Sequence, residues 1–523
     1  MTVESSTGKK RAIISVSDKT GVVDFANGLV TQGYEIFSTG GTKQALVEAG
    51  VPVHSVSELT GFPEILEGRV KTLHPAVHGG ILAKRDEESH MAELSAQQIG
   101  LIDLVAVNLY PFAQTVTRPG VSLDTALENI DIGGPTMIRA AAKNFKHVLV
   151  VVDPQDYSKV LDMQAAGTVS EEIRHKLASK AFQHTASYDS VIAQYLRGPV
   201  EHFPTDLTLN LHKIQDLRYG ENPHQLAAFY EWKAMPDQKF GSLASIRQLQ
   251  GKELSYNNIL DADAALAVVR DFGAPTVAII KHTNPCGLAS NTDLLVAYEN
   301  AMAGDPLSAY GGIVAVNRVV DADLAQKIIA TFFEVLIAPD FTEGAQELLK
   351  KKKSLRVLAT GDLNMGADQL AMAPTLRQVT GGFLVQTPDL LPERDLQMQV
   401  MTDREPTLEE VTNLQFAWRA IKHIKSNAIV LVKNHAIVGM GAGQPSRVDS
   451  VKIALSKAGV KAKGSVLASD AFFPKVDGVE TAAQGGVTAI IQPGGSISDT
   501  DVIDIAVQHK LSMIFTGRRH FKH

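Results

Sequence analysis

The chain has 523 residues, 45% of them apolar and 20% charged, with 41 Gly and 22 Pro, proportions that exclude a disordered, collagen-like or low-complexity polymer. At roughly 150 residues per domain it is long enough for about three to four compact units and too long for one small binding module. The 50 Lys+Arg against 57 Asp+Glu leave a net charge of −7, so there is no global basic field for sequence-independent nucleic-acid binding, and an anionic ligand must be met locally.

The single cysteine, Cys286, can make no intramolecular disulfide and cannot supply the paired thiolates of common structural zinc sites, which fits a reducing compartment. The opening MTVESSTGKKR lacks an apolar h-region, and no stretch approaches the ~18 unbroken apolar residues that cross a bilayer. The expectation is a soluble cytoplasmic protein with no membrane and no nucleic-acid polymer among its partners.

In chain order, RAIISVS, YEIFST, LVAVNLYP and HVLVVVD read as strands in the first 200 residues. FANGLVTQG, TKQALVEAG and SLDTALEN carry apolar residues at helical spacing, the first two closing on a Gly suited to a C-cap. This alternation predicts an α/β domain with a helix-covered parallel sheet. RGPVEHFPTD, from Arg197 to Asp206, gathers Gly, two Pro and charges into an exposed connection. A boundary there gives domains 1–200 and 201–523. Beyond it, TVAIIKHTNPCG reads as a strand ending in a Pro/Gly turn, and NAIVLVKNHAIVGMGAG as two strands joined at KNHA. The remaining ~320 residues exceed one typical core and predict two subdomains, which leaves a divergent duplication open and no solenoid period. Lys350 to Lys353 read as a solvated turn.

Two loops of the first domain suit anions. SVSDKTG (Ser15 to Gly21) and STGGTK (Ser38 to Lys43) each follow a strand and precede a helix, where hydroxyls, close backbone approach at Gly and helix N-terminal amides can surround a phosphate. Neither has Walker spacing. GRVKTLHPAVHGGIL adds Arg69, Lys71, Thr72, His74 and His78, a density of cationic and hydrogen-bonding groups that a core would not hold without partners. His74 and His78 have metal-ligand spacing, but Pro75 and the lack of nearby carboxylates favour anion and oxyanion stabilisation instead. NLYPF and IDIGGPTMIRAAAKN supply Tyr110, Asp131 and Lys143, groups able to act as acid, base or charge anchor if the fold brings Asp131 to the basic loop.

SVSDKTG, STGGT, ELTGFPEILEGRVKTLHPAVHGGILA, NLYPF and IDIGGPTMIRAAAKN, in this order, resemble the IMP cyclohydrolase domain of the bifunctional purine-biosynthesis enzymes. The resemblance implies a methylglyoxal-synthase-like fold and a substrate bearing ribose 5-phosphate. In the implied reaction the carboxamide nitrogen of formyl-AICAR attacks the neighbouring formyl carbon, an oxyanion forms, and water leaves to give inosine monophosphate. Ring closure is intramolecular, so holding the near-attack conformer removes much of the barrier. By this resemblance Lys71 stabilises the oxyanion, while Tyr110, Asp131 and Lys143 orient groups and move protons. Ser15, Lys19, Ser38, Thr39, Gly40, Gly41, Thr42, Arg69 and Thr72 hold phosphate, ribose and base.

The second domain places polar or Gly/Pro-rich patches at the ends of apolar runs: LRYGENPHQ, QLQGKELSYNNILDADAA, KHTNPCG, DPLSAYGGIVAVN, KSNAIVLV, GAGQPSRVDS and SDAFFP. KHTNPCG invites comparison with zinc deaminases, whose signature pairs HxE with a later PCxxC. Here Asn284 stands where Glu would follow His282, and no second cysteine follows Cys286, so a catalytic zinc is not expected and Cys286 reads as a small apolar residue.

Together these patches resemble the AICAR formyltransferase domain of the same bifunctional family, whose fold is a duplicated cytidine-deaminase-like α/β domain without zinc and whose sites are shared across a homodimer. The implied reaction moves a formyl group from the co-substrate 10-formyltetrahydrofolate to the weakly nucleophilic 5-amine of AICAR, which needs a base. By resemblance that base is His282, Lys281 stabilises the oxyanion or protonates the departing folate nitrogen, and Asn427 hydrogen-bonds the formyl oxygen. Arg218, Tyr219, Arg447, Arg519, Phe521 and His523 are carried over for the nucleotide, and Phe472, Pro474 and Asp477 for the folate. The segments KHTNPCG and DPLSAYGG depart from the animal pattern and are bacterial in type, sparing Lys281 and His282 but altering the surroundings of Ser308 and Tyr310. The family also leaves a monovalent cation open, though no residue pattern here specifies one. Two other readings stand beside this one: a zinc-dependent hydrolase of the deaminase type, disfavoured by the cysteine count, and a non-catalytic nucleotide sensor, disfavoured by the Lys/Asp/Tyr set.

Overall fold

A computed structural model describes residues 9–118, 120–198, 202–232, 242–363, 374–390 and 396–523. The chain divides into two compact units, the first running to Leu211 and also taking in Trp232, the second holding His212–Glu231 and the described residues from 242 onward. The boundary placed after residue 200 falls on 199–201, outside the described residues.

Among the described residues the first unit is built on five strands, β1 (Lys10–Val16), β2 (Tyr34–Ser38), β3 (His54–Ser55), β4 (Leu104–Asn108) and β5 (Leu149–Val151), in the order β3-β2-β1-β4-β5 and all parallel. Both faces are covered, as a parallel sheet requires. Ala12, Ile14 and Val16 of β1 pack with Phe25, Leu29 and Tyr157, while the intervening Ile13 packs with Val77, Ile81, Met137 and Ile138 on the other side. Because the strands are parallel, β1, β2 and β4 end at one edge of the sheet, and the loops after Val16, Ser38 and Asn108 gather there.

Among the described residues the second unit carries two ribbons, β6 (Leu211–Leu217) with β7 (Ala227–Trp232), whose end residues Leu211 and Trp232 fall to the first unit, and β14 (Thr375–Val379) with β15 (Gly382–Gln386). Among the described residues its main sheet has twelve strands. Six form the first half, β8 (Arg247–Gln250), β9 (Thr276–Lys281), β10 (Asn284–Ser290), β11 (Ile313–Val316), β12 (Val335–Ala338) and β13 (Arg356–Ala359). Six form the second, β16 (Gln399–Val400), β17 (Ile429–Lys433), β18 (Ala436–Gly441), β19 (Val466–Ser469), β20 (Ala489–Gln492) and β21 (Ser512–Phe515). The order β16-β21-β20-β19-β17-β18-β10-β9-β11-β12-β13-β8 reads the same from either end once β8–β13 are matched to their counterparts among β16–β21. Each half has a hairpin, a parallel triplet and an antiparallel edge strand, so the expected duplication is present.

The halves meet where Ala289 of β10 pairs with Ala436 of β18 and the Ser290 amide donates to the His435 carbonyl at 3.0 Å. Helices Tyr256–Arg270 and Leu408–Ile421 share one core on one face, whereas the opposite face has a separate core in each half. One local reading is corrected. KHTNPCG does not end the strand in a Pro/Gly turn: β9 turns at His282–Thr283, and Asn284–Gly287 already belong to β10. Pro285 is accommodated because the register shifts between Pro285 and Gly287. Among the described residues no helix is long and apolar enough to cross a membrane.

Candidate active sites

In the first unit the loop after β1 is anchored from helix Gly40–Glu48 and from β4. Thr42 Oγ1 accepts from the Val16 amide and donates to the Val16 carbonyl, both at 2.9 Å, and Asn108 Oδ1 accepts from the amides of Ser17 and Asp18 at 2.6 and 2.9 Å. Ser15 lies inside β1 opposite Val107, and Ser38 is buried with its hydroxyl on the Ile14 carbonyl, so both belong to strands rather than to the loops that follow. Thr39 N-caps helix Gly40–Glu48 in extended conformation, and Gly40 has φ 51, a backbone state that costs Gly nothing.

Two ammonium groups converge on this helix start. A Cβ added at Gly40 would lie 3.5 Å from Lys71 Nζ, and one at Gly41 would lie 3.8 Å from Lys19 Nζ. The helix N-terminal amides and two cations make an anion cradle. Glu64 faces it, accepting from Thr39 Oγ1 at 3.3 Å and pairing with Lys71 at 3.4 Å. Arg69 turns instead to Glu128, an exposed pair.

A second cluster adjoins Thr72, whose Oγ1 would lie 2.6 Å from a Cβ on Gly133, at the start of helix Gly133–Lys143. Asp131 Oδ1 accepts from the Gly134 amide at 2.8 Å, and the Asp131 amide donates to Tyr188 Oη at 2.8 Å. Burial pushes the Asp131 carboxyl above the usual carboxylate range, against the opposing pull of the Gly134 and Gly133 amides. The fold therefore joins Asp131 to the basic loop through Thr72, with the exposed Tyr110 just beyond β4. Lys143 is not brought to this cluster. It closes the eleven-residue helix, about 15 Å along the axis from its start, and lines a cavity of about 1050 Å³ with His78, Arg139, His175 and Phe182.

In the second unit the β9–β10 turn presents Lys281 and the exposed His282. Lys281 Nζ donates to the Tyr310 carbonyl at 3.0 Å, leaving two ammonium hydrogens for a ligand. Asn284 Oδ1 accepts from the Lys425 amide at 3.1 Å, which ties this turn to the segment leading to Asn427. There Ser426 exchanges hydrogen bonds with the chain terminus: its amide donates to the Lys522 carbonyl at 2.9 Å, and its hydroxyl accepts from the Lys522 amide at 3.2 Å. Ser426, Asn427, Gln444, Pro445, Phe521 and His523 thereby line a pocket of about 330 Å³.

Asn427 is fully engaged. Nδ2 donates to the carbonyls of Gln444 and Pro445, both at 2.9 Å, and Oδ1 accepts from Arg447 Nη2 at 2.9 Å. No donor remains for a formyl oxygen unless one of these bonds is exchanged. Arg447 is only 7% exposed and its other terminal nitrogen serves Ser469 and Asp470, a residue with no exposed surface. Asp470 also accepts from Ser426 Oγ at 2.5 Å. Arg519 stacks on Phe521 at 4.5 Å, and Phe472, Pro474 and Asp477 lie exposed beyond Asp470. Arg218 and Tyr219, whose groups lie 5.8 Å apart, sit in the loop after β6, and no contact joins them to Lys281 or Asn427 among the described residues. Cys286 is buried, its thiol pushed up to about 12 by burial and the nearby Asp305. Among the described residues no group of three or more His, Cys, Asp and Glu is arranged to hold a metal ion.

The sequence reading missed Glu64, Tyr188, Ser426, Gln444 and Asp470. Glu64, Ser426, Gln444 and Asp470 stand inside quoted motifs, and the acidic residue in SDAFFP at a strand end was a readable signal.

Two sites, each built within its own α/β unit, describe a bifunctional α/β enzyme. The model for the MGS-like domain matches residues 21–136, and that for the AICARFT/IMPCHase bienzyme matches residues 141–457. The bifunctional purine biosynthesis protein PurH of Bacillus cytotoxicus is 54% identical over 517 residues, covering 98% of this chain and 100% of the relative. Its namesakes from Anoxybacillus flavithermus and Bacillus cereus are 54% and 53% identical, each with 98% and 100% coverage. A solved structure, the crystal structure of ForH, is 41% identical over 35% of this chain and 95% of its own, with a TM-score of 0.33. The chain belongs to the AICARFT/IMPCHase bienzyme family.

Proposed function

We propose that the chain catalyses the last two steps of inosine monophosphate synthesis, formyl transfer in the second unit and ring closure in the first. The observation that carries this reading is the presence, in one chain 54% identical to PurH along its length, of a Lys19/Lys71 anion cradle and a Lys281–His282 hairpin in separate units. In formyl transfer the 5-amine of AICAR attacks the formyl carbon of 10-formyltetrahydrofolate. His282 takes the amine proton, Lys281 stabilises the oxyanion, and the carbon–N10 bond breaks as N10 is protonated. In ring closure the carboxamide nitrogen attacks the new formyl group, Lys71 meets the transient negative charge, and water departs. Asp131 and Tyr110 orient the reacting groups, and Lys19 with the Gly40–Gly41 amides holds the phosphate.

Asn427 and the terminal Phe521 and His523 shape the transfer pocket, and Arg447 acts by fixing Asn427. Zinc has no part in this scheme: the Cys286 thiol is buried and pushed up to about 12, and no second cysteine follows it to complete the PCxxC half of a zinc-deaminase signature. No step is assigned to a monovalent cation. The proposed setting is a cytoplasmic homodimer.

The test is an assay with AICAR and 10-formyltetrahydrofolate that follows folate release and inosine monophosphate separately. Lys281→Ala or His282→Ala is expected to abolish formyl transfer while cyclisation of preformed formyl-AICAR stays near normal, and Lys71→Ala to do the reverse. Equal damage to both activities in folded protein overturns the two-site scheme.

A further inference from the structure

The two halves of the twelve-stranded sheet repeat one hairpin device in detail. In the first half, His282 and Thr283 both adopt left-handed backbone, φ 51 and 63, and in the second half Asn434 and His435 do so at φ 53 and 53. Such values are uncommon for residues other than Gly, and for β-branched Thr283 they are a steric outlier that needs to be held. A side-chain Oδ1 does the holding in both halves, a carboxylate oxygen in the first and a carboxamide oxygen in the second. The Thr283 amide donates to Asp261 Oδ1 at 2.7 Å, and the His435 amide donates to Asn413 Oδ1 at 2.8 Å.

Asp261 and Asn413 occupy the same place in their helices, each the sixth residue of Tyr256–Arg270 and of Leu408–Ile421. The lysine before each turn is matched too, with Lys281 Nζ donating to the Tyr310 carbonyl and Lys433 Nζ to the Lys463 carbonyl, both at 3.0 Å. Even the glycines agree. A Cβ on Gly287 would lie 2.3 Å from the Ala301 carbonyl oxygen, and one on Gly439 would lie 2.2 Å from that of Ala454. The second half is thus an internal control: the same turn, clamped the same way, without a histidine at the position of His282.

We propose that Asp261 is a positioning residue for formyl transfer, its Oδ1 clamping the strained His282–Thr283 turn so that the imidazole faces the amine it deprotonates. This rests on placing formyl transfer at the Lys281–His282 hairpin. The duplicate indicates which property of Asp261 matters: Asn413 holds an equivalent turn with a neutral amide oxygen, so the acceptor atom, not the negative charge, does the clamping. Loss of the acceptor frees the turn to relax toward right-handed backbone, and a shift of about 1 Å in a reacting group lowers turnover about a hundredfold.

The experiment compares Asp261→Ala, Asp261→Asn, Asn413→Ala and His282→Ala in the full chain, reading kcat and KM for formyl transfer, cyclisation of preformed formyl-AICAR, and the melting temperature. Asp261→Ala is expected to lower formyl-transfer kcat by about a hundredfold with KM for AICAR changed less than about threefold, while cyclisation is unaltered. Asp261→Asn restores kcat to within about threefold of the parent, and Asn413→Ala lowers the melting temperature without the kcat loss. Retention of parental kcat by Asp261→Ala overturns the proposal, as does an Asp261→Asn variant as slow as Asp261→Ala, or loss of kcat in Asn413→Ala to the same extent. If Asp261→Ala fails to fold, the activity of Asp261→Asn still decides. An active His282→Ala variant refutes the underlying site assignment instead, and is told apart by that result alone.

Discussion

Replacing Arg447 by Met isolates the buried pair that supports the pocket proposed for formyl transfer. Asp470 has no exposed surface and Arg447 only 7%, and the Asp470 carboxylate is met by Arg447 and by Ser426 Oγ at 2.5 Å. Methionine keeps the apolar stem but leaves the carboxylate with a single hydroxyl partner. Breaking a buried pair from one side costs about 3–5 kcal/mol, because the remaining charge is stranded away from water. In a unit this large each kcal/mol corresponds to about 2 °C, so the expected fall in melting temperature is about 6–10 °C. The same substitution frees Asn427 Oδ1 from its 2.9 Å bond to Arg447, so formyl transfer should fall at temperatures where the chain is still folded. Calorimetry and a double-mutant cycle with Asp470→Asn provide the assay. The double variant lacks the stranded charge and should recover part of the loss, with a coupling of about 1–3 kcal/mol. A single variant that melts within about 1 °C of the parent, or a cycle without coupling, refutes the reasoning.

Asp131→Asn is expected to stabilise the chain at neutral pH while abolishing ring closure, since the amide oxygen can still accept from the Gly134 amide. Burial raises the folded-state pKa of Asp131, so the stability tied to this carboxyl is complete below its unfolded value of about 3.9 and is lost as pH rises through the folded value. The melting-temperature gain should therefore vanish in acid, and a gain independent of pH contradicts the assignment. Cys286, with its thiol pushed up to about 12, should resist alkylation at pH 8 in the folded chain and tolerate Cys286→Ala in the transfer assay; rapid labelling with loss of transfer would count against a packing role. Gly287→Ala should cost about 1–3 kcal/mol by denaturant unfolding, because its Cβ would meet backbone at 2.3 Å, and a neutral result would show that the helix Leu294–Gly304 moves freely.

Local pattern gave most of the first sheet, where RAIISVS, YEIFST, LVAVNLYP and HVLVVVD fall on β1, β2, β4 and β5 and the two Gly-bearing loops lie at one sheet edge, but the two-residue edge strand β3 is too short to show a pattern. It failed at Asn284–Gly287, since a Pro and a Gly read as an end of structure, and only the register shift against β9 lets them stay in a strand. Contacts between distant segments were the least legible. Ser426 meets Asp470 across 44 residues, and Asn427 meets Gln444 across 17, pairings with no periodic trace. Lys143 shows the converse limit: its spacing from Asp131 is plain in the sequence, but only the straight helix between them shows that the two diverge.

The joint between β10 and β18 bears on ancestry. A six-stranded chain whose hairpin edge met the same edge of another copy would make a symmetric pair, with two identical lysine-bearing turns related by a two-fold axis. Covalent fusion of such a pair relieves one turn of any obligation to do chemistry while its shape stays under demand from the shared sheet. The present halves have that asymmetry, histidine with aspartate in one and asparagine with asparagine in the other, on backbones that have scarcely parted.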